Sequence, residues 1–404
     1  MNAIASLILS IIVVFILLRL KIHVSLAIFF GAFILAFINF QSLAETFYVL
    51  ENTLLALQTW RLVVIISSAI GLSIAMDLKG MLKDLAKTLE KAGEKIALHV
   101  APPLIGLVPM PAGALVSASM VRDLARRLKL TPEEATFINY WFRHIMEYSW
   151  PIYQGIILTS AIFSVNIVDV VKTLSPMTFF NASIGLLISY MIFKRKVSKH
   201  VKNRKGFSMR SFVKDLTLSS WPILLIIFLI LLLKLDTSLA FILSLTTLII
   251  VERFNVKDIV KVVKGALNSK IVLLSISIMF YKATVEYANL PHQIFSTLTK
   301  IGVPDYAVLM LLPFIVGFAT GITFAFVGIT FPLLVPIVGR GVIDAGSLVL
   351  AYASGFAGVL LSPMHLCLIL SAEYFKADLP KTYVYITPAV ALSLIIASTV
   401  YIVA

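Results

Sequence analysis

Residues 139–158 read NYWFRHIMEYSWPIYQGIIL. Arg143, His144 and Glu147 sit in an otherwise apolar stretch, and Ser149-Trp150-Pro151 follows within two helical turns. Proline removes a backbone donor and clashes with the preceding turn. The apolar run 133–163 is therefore expected to be a helix broken near its middle. Charge in hydrocarbon costs about 2.5–3.5 kcal/mol per residue even on insertion scales, so ionisable groups beside a break mark a protein-lined or water-lined interior. The pattern returns at 345–373, where Leu361-Ser362-Pro363-Met364 interrupts an apolar run and His365 follows.

The rest of the chain fits such interrupted spans. Of its 404 residues 60% are hydrophobic and 13% charged, and mean hydropathy is +1.00, whereas soluble domains carry about 25% charged residues. An all-α polytopic membrane protein is expected and a soluble enzyme excluded. The formal charge of +14 lies in no segment that interleaves basic with aromatic side chains, so nucleic acid is no partner. Cys367 is the single cysteine; neither a disulfide framework nor a cysteine-built metal site is expected. HExxH, GxGxxG and P-loop motifs are absent, and with them the zinc-hydrolase, dinucleotide and nucleotide chemistries they carry.

Ten crossings are expected, near 3–18, 22–39, 58–76, 133–163, 174–193, 216–233, 237–251, 270–287, 345–373 and 382–403, each of about the length a bilayer requires. The first lacks a basic n-region and a small-residue cleavage site, and reads as a retained helix. On this map 27 of the 34 Lys and Arg fall on one side, in connectors 19–21, 79–95, 122–129, 194–214, 253–270 and 376–381. The positive-inside rule then makes that side cytoplasmic and places both termini outside, with the plasma membrane as the location.

Two apolar segments, 98–121 and 306–338, carry Pro and Gly near their middles. The first has strongly basic flanks on both sides, so it should enter and leave from the cytoplasm as a re-entrant hairpin; the second, with sparse Lys and Arg around it, should dip in from outside. The chain also repeats. Ser25-Leu26-Ala27 recurs as Ser238-Leu239-Ala240, Gly106 as Gly317, and Tyr140, Pro151 and Pro176 as Tyr352, Pro363 and Pro388, all at offsets near 212. Five crossings and one hairpin per half force opposite orientations, an inverted repeat: 1–193, a basic cytoplasmic linker 194–214 facing lipid headgroups, and 215–404. Lys79, Lys83, Lys87, Lys91 and Lys95, with Leu82, Leu85, Ala86 and Leu89 between them, predict an interfacial helix, whose counterpart is 255–268 or 290–301.

Broken backbone at membrane depth is tolerated only under protein or against a water-filled cavity. Half-helix N-termini there offer N–H groups to anions, and freed carbonyls and hydroxyls can ligate cations. The candidate substrate contacts are therefore Pro109, Pro111 and Gly113 at the first hairpin tip, Arg143, Ser149 and Trp150 at the first break, Thr320 and Thr323 at the second tip, and Ser362 and Pro363 at the second break. Arg143 suits a carboxylate or phosphate; Glu147, His144 and His365 are candidates to carry a coupling proton or sodium ion. Arg143 and Glu147, at i and i+4, can instead pair across one helix face and simply fix the break. Lys282 and Glu286 have the same spacing and read as a structural pair. No metal or cofactor is expected beyond coupling Na+ or H+.

The stretches GLVPMPAGALVSASMV (106–121), NYWFRHIMEYSWPIYQGIIL (139–158) and GVLLSPMHLCLILSAEYF (358–375) resemble the membrane family catalogued as domain of unknown function 401. The arrangement of hairpins and breaks resembles the ion-transporter superfamily of dicarboxylate, citrate, gluconate and arsenite carriers. That resemblance implies a homodimer with central scaffold helices and mobile transport domains working as elevators on a small anion. The Ser-Asn-Thr motifs of the dicarboxylate branch are absent; Ala112-Gly113-Ala114, Ser149-Trp150-Pro151, Thr320-Gly321-Ile322-Thr323 and Ser362-Pro363-Met364 stand in their place. Other classes compatible with the sequence are a protein handling a lipid-linked substrate and a passive channel.

Overall fold

The structure is a computed structural model describing residues 3–90, 94–107, 113–194, 208–300 and 302–404. Among the described residues there is no strand, and the helices fall into two runs of ten. The first run is α1 (Ala3–Arg19), α2 (Val24–Phe40), α3 (Leu43–Leu55), α4 (Leu57–Leu78), α5 (Met81–Glu90), α6 (Glu94–Gly106), α7 (Gly113–Arg127), α8 (Pro132–His144), α9 (Gln154–Phe163) and α10 (Ile167–Lys194). The second is α11 (Met209–Ile227), α12 (Thr237–Val251), α13 (Val256–Ala266), α14 (Ser269–Tyr287), α15 (Leu290–Lys300), α16 (Asp305–Thr320), α17 (Thr323–Val338), α18 (Ala345–Leu361), α19 (Leu366–Phe375) and α20 (Leu379–Val403). Each helix of the second run starts 206–213 residues after its counterpart.

Packing follows the same pairing. Helix α2 lies on α14 and α4 on α12; α6 lies on α8 and α16 on α18; α7 packs against α19 and α9 against α17. Helices α1–α4 and α12–α14 pack chiefly with one another, α11 packs against α5 and α12, and α6–α10 and α16–α20 form a second packed group. Among the described residues six apolar stretches are long enough to cross a membrane: Leu57–Leu78, Ile167–Lys194, Met209–Ile230, Val256–Tyr287, Ala345–Phe375 and Leu379–Val403. The other apolar helices span 10–17 residues. The protein is a multi-pass membrane protein of helices.

Local sequence explains the boundaries. Thr131 and Glu134 form a reciprocal capping box at the start of α8, with Pro132 at its first position, where a missing N–H costs nothing. Asp344 caps α18 by accepting from the Ser347 N–H at 2.8 Å. Helices α9 and α19 both end on a left-handed residue, Ser164 and Lys376. The counterpart of the lysine-rich helix is α15, since α13 takes the place equivalent to α3. Helix α3 escaped the sequence reading because Glu45, Glu51 and Asn52 dilute its apolar length.

The two runs interlock at their broken helices. Tyr140 on α8 donates to the Leu360 carbonyl at the end of α18, 3.1 Å away. Tyr352 on α18 donates to the Glu147 carbonyl beyond the end of α8, 3.0 Å away. These tyrosines lie 212 residues apart, and each serves a carbonyl at the end of the other's helix. The close approaches repeat too: a Cβ on Gly106 would strike the Arg143 carbonyl, and one on Gly317 the Gly355 carbonyl. Leaving a buried carbonyl unpaired costs about 1–3 kcal/mol. Tyr140→Phe and Tyr352→Phe are accordingly expected to lower the melting temperature of the detergent-solubilised protein by similar amounts, measured by intrinsic-fluorescence melting. Tyr383→Phe, at a half-buried hydroxyl on the Leu361 carbonyl, should cost less.

Candidate functional site

Helix α8 ends at His144 and the chain tightens into a 3-10 turn, Ile145–Tyr148, before the break Ser149–Tyr153. A 3-10 turn advances about 120° per residue where an α-helix advances about 100°. Glu147 therefore eclipses His144, three residues back, and swings away from Arg143. Its Oε1 lies 3.8 Å from His144 Nε2. No ion pair joins Arg143 to Glu147 among the described residues, and the expected i, i+4 pair is not formed.

Three further chain interruptions converge on this turn. From the end of α6, the Gly106 carbonyl accepts from the Tyr153 hydroxyl and the Leu107 carbonyl from Trp150 Nε1 at 2.9 Å. From α17, Thr323 Oγ1 donates to Glu147 Oε2 at 2.9 Å. At the α16–α17 link Gly321 takes φ +66°, a conformation glycine adopts without Cβ strain, with Ser362 Oγ and the His365 backbone close against it. From the head of α19, His365 Nδ1 donates to the Gly321 carbonyl at 2.7 Å and its Nε2 faces His144 Nε2 at 3.0 Å. His144 Nδ1 in turn donates to the Tyr140 carbonyl at 2.6 Å. Glu147, His144 and His365 are each more than nine-tenths buried.

Not every expected residue joins this cluster. Pro109 and Pro111 lie outside the described residues, and Gly113 opens α7. Ser149 accepts from Thr178 of α10 at 2.8 Å, and Trp150 is spent on the Leu107 carbonyl. Thr320 bonds the Val316 carbonyl and receives the Ile322 N–H, closing the tip. Ser362 receives the Met364 N–H at 3.2 Å while Pro363 is exposed. Lys282 is buried, bonds the Ala161 carbonyl at 3.1 Å and lies 4.0 Å from Glu286, which also pairs with Arg340. Arg143 is 7% exposed and its Nη1 has no hydrogen-bond partner among the described residues.

Cys367 is the residue the sequence reading set aside. A lone cysteine has no second thiol to join, but the fold brings it to two histidines: ligand atoms of His144, His365 and Cys367 all lie within 4.8 Å of one another. The spacing His365-Leu366-Cys367 gave the only local hint; the partner His144 lies 221 residues from His365 in sequence.

A cavity of about 810 Å³ opens elsewhere, between α4, the α9–α10 connection and the residues before α12. Arg61, Lys172 and Lys234 line it with Asp169 and Asp236; Asp236 pairs with Arg61 and Ser238.

Removing one partner of a buried ion pair costs about 3–5 kcal/mol, whereas a buried charge without a full set of partners is itself a burden. Arg143→Met is expected to keep or raise the melting temperature of the ligand-free protein. A fall as large as a broken pair would produce would show Arg143 to be a structural residue.

The chain belongs to the family described as "Protein of unknown function (DUF401)", whose pattern matches residues 2–404. No curated protein matches it. Its fold is similar to that of the Alcanivorax borkumensis YdaH transporter, whose crystal structure is described as revealing an unusual topology. The likeness has a TM-score of 0.61 at 13% identity and covers 84% of this chain and 83% of that one.

Proposed function

We propose that this DUF401 protein is a secondary transporter that moves a small anion, an organic acid or oxyanion, across the plasma membrane by alternating access. The observation that carries the reading is Arg143: a buried guanidinium whose Nη1 has no hydrogen-bond partner among the described residues, on the helix that leads into the Glu147 turn, at a junction of broken helices. A guanidinium held that way has capacity left for a carboxylate or phosphate. Glu147, with His144 and His365 against it, supplies the negative charge for a coupling cation, H+ or Na+. The fold of the YdaH transporter supports the class.

In this reading the two runs of helices are inverted repeats of five crossings each, with termini outside. The α6–α7 and α16–α17 pairs are re-entrant hairpins entering from opposite sides. Helices α6–α10 and α16–α20 move as the elevator against α1–α4 and α11–α14, and the latter join two copies in a homodimer. The cavity beside Arg61, Lys172 and Lys234 is the outward vestibule, where an excess of cationic side chains raises the local concentration of anions. The protein is not an enzyme.

Binding to the native state raises apparent stability by mass action. Melting of the purified protein is measured against carboxylates, phosphate and other oxyanions, each with and without sodium and at two pH values. At least one anion is expected to raise the melting temperature, and Arg143→Gln to abolish that rise. A rise with a lipid-linked species and with no soluble anion would replace this reading by a lipid-handling one. Glu147→Gln is expected to keep the anion-induced rise but to lose gradient-driven accumulation in proteoliposomes, while still exchanging substrate for substrate. Accumulation undiminished in Glu147→Gln would remove Glu147 from coupling.

A further inference from the structure

Both histidines at the junction have fixed tautomers. Nδ1 of His144 faces the Tyr140 carbonyl and Nδ1 of His365 the Gly321 carbonyl. A carbonyl only accepts, so each Nδ1 carries the hydrogen and each neutral ring presents a lone pair at Nε2. Those two lone pairs face each other at 3.0 Å, a repulsive contact unless an electrophile lies between them. Carbonyls that hold Nδ1–H and leave Nε2 free are also the outer-shell arrangement that orients metal-binding histidines.

A shared proton would satisfy the two nitrogens and needs no sulfur. The chain's single cysteine nonetheless completes the group, with its Sγ within 4.8 Å of a ring nitrogen of each histidine. We propose that His144 Nε2, His365 Nε2 and Cys367 Sγ bind one thiophilic transition-metal cation of the zinc class. Zn–N bonds of about 2.0–2.1 Å and a Zn–S bond of about 2.3 Å in tetrahedral geometry require the nitrogens to open by a few tenths of an ångström and the sulfur to close in. Glu147 Oε1, 3.8 Å from His144 Nε2, stands near the fourth position. One N and one S,N pair come from opposite runs of helices, so the ion would clamp the end of α8 to the head of α19. The proposal shares His144, His365 and Glu147 with the transport reading but uses neither Arg143 nor the anion, so the metal titration below is read without any transport measurement.

The test uses the full-length protein in detergent, freed of metal by chelation and titrated with Co2+. One ion per chain is expected, with a thiolate-to-cobalt charge-transfer band in the near ultraviolet, intense visible d–d bands of a tetrahedral site, and displacement by Zn2+. Cys367→Ser should lose the charge-transfer band, and His365→Ala should weaken binding at least about tenfold. On the unaltered chain, Zn2+ should slow modification of the Cys367 thiol by a maleimide, a readout that needs no variant to fold. Absence of stoichiometric Co2+ and Zn2+ binding, an unchanged spectrum in Cys367→Ser, or thiol modification indifferent to Zn2+ would each overturn the site and leave a proton between the rings.

Discussion

Every interrupted helix leaves carbonyls without their intrahelical donors, and hydrocarbon supplies no water to replace them. The described part of this fold meets that constraint by placing the breaks against one another. Tyr140 covers Leu360, Tyr383 covers Leu361, Tyr352 covers Glu147, Trp150 covers Leu107, Tyr153 covers Gly106 and His365 covers Gly321. All six donors are ring side chains, large enough to reach across a helix interface and apolar enough to pack within it. Separating the breaks would strand these carbonyls, so the contacts between α6, α8, α16, α18 and α19 are as much a requirement of the backbone as of side-chain packing.

The same arrangement makes a place where charge can be buried. Tyr140 and Tyr352 serve one another's helix ends, but other side chains 212 residues apart differ. At the positions related to Arg143, His144 and Glu147 the second run has Gly355, Phe356 and Val359; at those related to His365 and Cys367 the first has Tyr153 and Gly155. Gly317 lets α16 approach α18 closely at the Gly355 carbonyl, and the side chain that Gly355 lacks leaves room for the Phe326 ring. One run thus gives the acid, the guanidinium and one imidazole, the other the second imidazole and the thiol.

Much of the frame was legible in the sequence. The breaks at 149–151 and 362–363 and the hairpin ends around Gly321 follow from proline and glycine chemistry, which acts locally and leaves the same mark in any context. The two runs of helices start 206–213 residues apart, close to the offset near 212 at which short motifs recur in the sequence. Glu147 and His365 were legible as candidates because charge in an apolar run is costly. What misled was register: the i, i+4 spacing of Arg143 and Glu147 supposes an α-helix through Ile145, and the tightening to a 3-10 turn paired Glu147 with His144 instead.

Cys367 and Thr323 mark the other boundary. Nothing within ten residues of Cys367 says that His144 will lie beside it, and nothing near Thr323 says that its hydroxyl will bind Glu147; such meetings are set by how four helices cross, which no local periodicity records. By itself the sequence determined that this chain is a membrane protein of interrupted helices, because hydropathy, proline and glycine act through the few residues on either side of them. Only the tertiary structure decided which polar groups share the buried junction, because side chains 176 and 221 residues apart meet through the packing of whole helices.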